Sequence, residues 1–138
     1  RTLPDRANTV VAGSSMGGLV SLWLGLNTDV FGAVGVFSPA FWTSPNFTKA
    51  MMEGTKKDGL RIYMDMGTRE KGSLTGDYWK DALAVRDALL KQGYVEGEEF
   101  LWNPGEGDEH SEKAWAKRLP VALRFLLPEK DKPRMEED

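Results

Sequence analysis

One serine, one glutamate and one histidine in this chain have the types and spacing for joint chemistry. Ser15 lies in Gly13-Ser14-Ser15-Met16-Gly17. An apolar, β-branched run precedes it, Thr9-Val10-Val11-Ala12, and an amphipathic stretch follows, Gly18 to Leu26. Gly-x-Ser-x-Gly between a strand and a helix is a nucleophile elbow. The turn leaves no room for side chains two positions either side of the serine, and it exposes the hydroxyl at its tip. The N–H of the next residue, Met16, then points where an oxyanion would form.

A serine hydroxyl is a weak nucleophile at neutral pH. It needs a base within hydrogen-bond reach, and the base needs an orienting group. His110 is the single histidine of the chain, in the loop Pro104 to His110, and it is the expected base. Glu70, in Asp65-Met66-Gly67-Thr68-Arg69-Glu70, is the expected acid. It would hold the imidazole tautomer and stabilise the imidazolium. Asp77 is its rival, with a competing role as the cap of the next helix. Asp65 falls within a strand, where a buried carboxylate needs partners and reads as structural. The bland readings are a glycine turn that merely packs a helix on a strand, and a surface histidine. A metal site of His110 with Asp108, Glu109 and Glu112 is a further alternative. Three adjacent carboxylates in a glycine loop more often face water, so no metal and no cofactor is expected.

These residues need a scaffold. The pattern predicts strands at Thr9–Gly13, Val30–Phe37, Leu60–Gly67 and Glu98–Asn103. It predicts helices at Met16–Leu26, Asn46–Glu53 and Asp77–Gln92, and a last one from Ser111 to about Leu127. The second helix is capped by Asn46 or Ser44, the third ends at Gly93, and Pro120 kinks or restarts the fourth. Strands alternating with helices imply an α/β fold with a mostly parallel sheet of about four strands. The loops after the strands gather on one edge. They carry Ser15, Phe41 and Trp42, Glu70, and His110. Phe41 and Trp42 either line a substrate pocket or simply pack. Trp23 and Trp115 read as core, and Trp79 and Trp102 as packing.

The 138 residues make at most one domain, 41% apolar and 28% charged, with net charge −3. No basic cluster suggests a nucleic-acid face. The chain has no cysteine, which removes disulfides, thiolate zinc and a thiol nucleophile. No apolar run approaches the roughly 20 residues of a membrane span. Residues 1–127 are expected to form the domain and 128–138 a charged, frayed tail.

Four blocks in order carry a resemblance: Gly13-Ser14-Ser15-Met16-Gly17-Gly18, Ser38-Pro39-Ala40-Phe41-Trp42, Asp65 to Glu70, and Glu109-His110-Ser111-Glu112-Lys113-Ala114-Trp115. Over residues 1 to about 127 the chain resembles the putative-esterase group of α/β-hydrolases. That group includes esterase D, enterochelin-esterase and feruloyl or acetyl-xylan esterase-like proteins. The resemblance implies Ser15 as nucleophile, Glu70 as acid, His110 as base, and small-molecule, carbohydrate or siderophore-type esters as substrates. Many members carry Asp where this chain has Glu70. The family's domain also has strands and an oxyanion-hole loop before the elbow. The chain is therefore expected to be the C-terminal half of the fold, paired with an N-terminal segment or a second chain. A binding or assembly module, and an acyltransferase on the same fold, are the alternatives.

Overall fold

A computed structural model describes residues 2–70 and 77–129. Its four strands are β1 (Val10–Ser14), β2 (Ala33–Phe37), β3 (Arg61–Gly67) and β4 (Phe100–Gly105), all parallel, in the order β1-β2-β3-β4. The helices are α1 (Met16–Asn27), α2 (Pro45–Met52), α3 (Tyr78–Gln92) and α4 (Glu112–Leu126). Parallel neighbours need crossovers, and helices supply them. Each crossover steps the same way across the sheet, so the right-handed rule places α1, α2 and α3 on one face.

Side chains alternate along each strand, and the core divides accordingly. Val34, Val36, Ile62, Met64 and Phe100 face α1 to α3, where they meet Leu19, Leu22, Met51, Val85 and Leu89. Ala33, Phe37 and Tyr63 point the other way and pack under Ala122 and Leu126 of α4. Each fully buried leucine or isoleucine contributes about 1.5–3 kcal/mol over its exposed state.

The helix ends follow from local chemistry. Asp77 accepts from the Lys80 N–H and caps α3, which stops at Gly93 in the left-handed region, φ 111°. Ser111 caps α4 by accepting from the Ala114 N–H. Pro45 starts α2, and neither expected cap operates there: Ser44 is the N-cap residue but makes no side-chain cap bond.

Three expectations need correction. β2 begins at Ala33, not Val30, because Phe31 and Gly32 turn over the Arg6–Asn8 segment, where the Arg6 guanidinium donates to the Phe31 carbonyl. β4 continues through Pro104 to Gly105. It is an edge strand, and an edge strand tolerates a residue that cannot donate on its open side. α4 runs through Pro120 as one helix, so of the two expectations the restart is overturned. Ala116 and Pro120 are both exposed, so water can satisfy the carbonyl that loses its helical donor. The segment after β3 is described to Glu70 and again from Asp77, and the charged tail only to Glu129.

Candidate active site

Ser15 stands between β1 and α1 with φ 56° and ψ −119°. A non-glycine residue with positive φ is held there by its surroundings, at a cost of about 1–3 kcal/mol. Two backbone bonds supply the hold. The Ser15 N–H donates to the Phe37 carbonyl (2.9 Å), and the Ala40 N–H donates to the Ser15 carbonyl (2.9 Å). The tip of β2 therefore braces the tip of β1.

The glycines around Ser15 are not equivalent. A Cβ on Gly13 would lie 2.6 Å from the Gly17 carbonyl carbon, and one on Gly18 would lie 2.9 Å from the Phe37 carbonyl oxygen. A Cβ on Gly17 would meet nothing within 4 Å. The close approach needs Gly13 and Gly18; the second glycine of the pentapeptide is not needed for space. Met16 opens α1, and backbone N–H groups in a first helical turn have no acceptor within the helix.

The loops after β3 and β4 bring two more groups to this edge. His110 Nε2 is 3.0 Å from Ser15 Oγ, and His110 Nδ1 is 2.5 Å from Glu70 Oε1. Glu70 is buried, while the imidazole keeps about a quarter of its surface exposed (26%). The other carboxylate oxygen, Oε2, accepts from the Gly67 N–H and from Ser38 Oγ (2.7 Å). Asp77 is elsewhere, half-exposed at the α3 cap. Asp108 turns away from His110 to Lys117 Nζ (2.8 Å) and Arg118 Nη1 (2.8 Å).

Aromatic rings surround the imidazole. Trp42 and Tyr78 stack with centroids 3.3 Å apart, and each packs T-shaped with His110 at centroid distances of 5.9 and 5.7 Å. Trp115 meets the imidazole at 5.1 Å, nearly perpendicular. Phe41 packs into the core, 1% exposed. Phe41 and Trp42 also border a groove of about 810 Å³ between α2 and α3, with Met52, Asp81 and Gln92 farther along. Burial, and then Asp77, pushes the Asp81 carboxyl up from its ordinary range. Trp23, expected in the core, is partly exposed and packs edge-on against Phe47.

Beneath Glu70 lies a buried charge cluster. Arg118 Nε donates to Asp65 Oδ2 (2.8 Å), and Nη2 donates to Asp65 Oδ1 (3.2 Å) and Ser38 Oγ (2.8 Å). Asp65 also accepts from the Ser38 N–H (2.8 Å) and the Tyr63 hydroxyl (2.6 Å). Desolvation pushes the Asp65 carboxyl up, and Arg118 pulls it back in part. Burial alone would lower the Arg118 guanidinium, but Asp65 and Asp108 reverse that and carry it above its ordinary value. Desolvation also pushes the Tyr63 hydroxyl up, and the Asp65 charge adds to it.

Sequence reasoning missed Ser38, Arg118 and Tyr78. Ser38 entered only as part of the Ser38–Trp42 block that follows the second strand, and Arg118 was not singled out. The i, i+4 spacing of the buried residues Ala114, Arg118 and Ala122 was the one signal that Arg118 faces inward.

The family model described as "Putative esterase" matches residues 1–126. The chain belongs to that esterase family. The uncharacterized protein YbbA of Bacillus subtilis (strain 168) is 27% identical over 118 residues, which are 83% of this chain and 47% of that protein. Among solved structures, the enterobactin esterase FES of Shigella flexneri, in the presence of enterobactin, superposes with a TM-score of 0.71 at 26% identity. The match covers 89% of this chain and 31% of that one. A ferulic acid esterase gives 0.72 at 21% identity, over 91% and 53% of the two chains, a likeness of fold. The chain thus spans about half the length of the Bacillus relative and of the ferulic acid esterase, and about a third of the enterobactin esterase.

Proposed function

We propose that this chain carries the catalytic residues of a serine carboxylic-ester hydrolase, with Ser15, His110 and Glu70 acting as a triad. The reading rests on the unbroken line from Ser15 Oγ through the imidazole to Glu70. An ionised carboxylate only accepts, so Nδ1 carries a proton toward Glu70, and Nε2 is left to accept from Ser15. Ser15 Oγ attacks the ester carbonyl carbon as its proton passes to Nε2. The carbonyl oxygen becomes an oxyanion beside the Met16 N–H. The tetrahedral centre then collapses. The ester C–O bond breaks, and the alcohol leaves with the proton from Nε2. Water, deprotonated by the same nitrogen, releases the carboxylic acid and restores Ser15.

Trp42, stacked on Tyr78, forms a wall beside the imidazole, and the groove behind it takes the part of the ester remote from the carbonyl. Phe41 lies under that wall and supports it. Small-molecule esters, of siderophore or carbohydrate type, are the substrates we assign. The enterobactin esterase, at 26% identity, is the neighbour that favours the siderophore type.

One observation favours a partner for this chain. β1, which leads into Ser15, lies at the edge of the sheet, and among the described residues its outer side is unpaired. We assign that edge to another strand, from further chain or a second copy, which would also bring a second oxyanion donor. The direct test is p-nitrophenyl acetate turnover by the protein and by Ser15→Ala. The reading predicts a loss on the order of 10⁴–10⁶-fold in kcat; equal rates would overturn it.

A further inference from the structure

Among the described residues, two non-glycine residues have positive φ: Ser15 (56°) and Ser38 (41°). The first is the proposed nucleophile. The second has no part in the proposed chemistry, yet it is fully buried, and both its hydroxyl and its N–H are committed. Strain of this kind collects where a fold holds something in place.

The direction of each bond at Ser38 is fixed by its partners. A guanidinium only donates, so Ser38 Oγ accepts from Arg118 Nη2. An ionised carboxylate only accepts, so the one Ser38 hydroxyl hydrogen goes to Glu70 Oε2. The rotor has no other setting that satisfies both neighbours. Arg118 is fixed in turn by the Asp65 and Asp108 carboxylates, and its Nη2 lies 4.0 Å from Glu70 Oε2. The same corner also holds the other end of the line, since Phe37 and Ala40 bond the Ser15 backbone.

We propose that Ser38, backed by Arg118, is a positioning residue for the reaction. It fixes the Glu70 carboxylate so that Oε1 receives the His110 Nδ1 proton. The chain of donors then runs from Arg118 to Ser38 to Glu70, and His110 donates to the opposite oxygen. This inference rests on the triad reading above.

Two hydroxyl-free variants test it. Ser38→Ala keeps the backbone N–H bond to Asp65. Ser38→Gly also relieves the positive φ, so it folds even if the alanine variant does not. The readouts are kcat and KM for p-nitrophenyl acetate, the melting temperature, and the low-field proton NMR signal of His110 Nδ1–H. The chain has one histidine, so that signal is unambiguous. We expect kcat to fall roughly 10–100-fold, as for a lost hydrogen bond to a charged group. KM should change less than about twofold, since the hydroxyl acts on a group that uniform substrate binding does not involve. The low-field signal should shift or vanish through exchange. Folded variants that keep both kcat and the signal would overturn the proposal, even with a lowered melting temperature. The signal needs no turnover. If Ser15→Ala matches the parent, the triad reading fails, while the comparison of spectra still decides whether Ser38 orients Glu70.

Discussion

Gly13 and Gly17 look alike in the pentapeptide, but the structure separates them. Gly13→Ala drives a Cβ into the backbone at Gly17. It should lower stability by about 1–3 kcal/mol and abolish ester turnover, because the turn that presents Ser15 must open. Gly17→Ala meets open space within α1, and its melting temperature should rise, since alanine is the better helix residue. A thermal melt of both variants checks this, and equal destabilisation would refute it. Asp108 supports a second test. Burial alone would raise its carboxyl, but Lys117 and Arg118 outweigh that and hold it below the ordinary 3.8. A carboxyl lower in the folded state than in the unfolded chain contributes stability that is complete above the unfolded value and lost as pH falls through the folded one. Asp108→Asn should therefore melt below the parent at about pH 6, with the gap closing toward about pH 3. Melts across that range would contradict the ion-pair account if the gap stayed constant.

The elements were largely legible because hydrophobic period and punctuation agree here. Four strand runs alternate with helical faces, and Gly93, Asp77 and Ser111 mark helix ends by chemistry that depends on near neighbours alone. The misses depended on distant partners. Val30 is as β-prone as Val34, but the Arg6–Asn8 segment packs against Phe31 and Gly32, and β2 begins after them. Pro104 reads as a strand stop until β4 is known to be an edge. The convergence of Ser15, Glu70 and His110 was legible because loops after parallel strands share one sheet edge. Ser38 and Arg118 were not, since a buried arginine looks in sequence like any charge on a polar helix. The cap assignment of Asp77 gives a prediction at this level. Asp77→Ala should cost about 0.5–2 kcal/mol of stability and leave ester turnover unchanged. A large loss of kcat with an unchanged melting temperature would make Asp77 an acid of the site after all.

At the scale of the whole fold, the strand that leads into Ser15 has, among the described residues, a neighbour on one side only. The Thr9 carbonyl accepts from Gly32 and the Ser15 N–H donates to Phe37. Odd-numbered residues of β1 thus turn to β2, and the N–H groups of Val10, Ala12 and Ser14 point outward. If another strand completes the enzyme, the Ala12 and Ser14 amides should resist hydrogen exchange in the active species. Protection that grows with protein concentration marks a second copy, and protection independent of it marks the chain's own further segment. An active protein whose Ala12 and Ser14 amides exchange freely would remove the partner from the account. The proposal stands first on Ser15 as a nucleophile activated by His110. Its most direct measurement is covalent labelling with a fluorophosphonate, read by intact mass and peptide mapping. A single adduct is expected on Ser15, absent from Ser15→Ala and strongly slowed in His110→Ala. An adduct on another residue, or none, would contradict it.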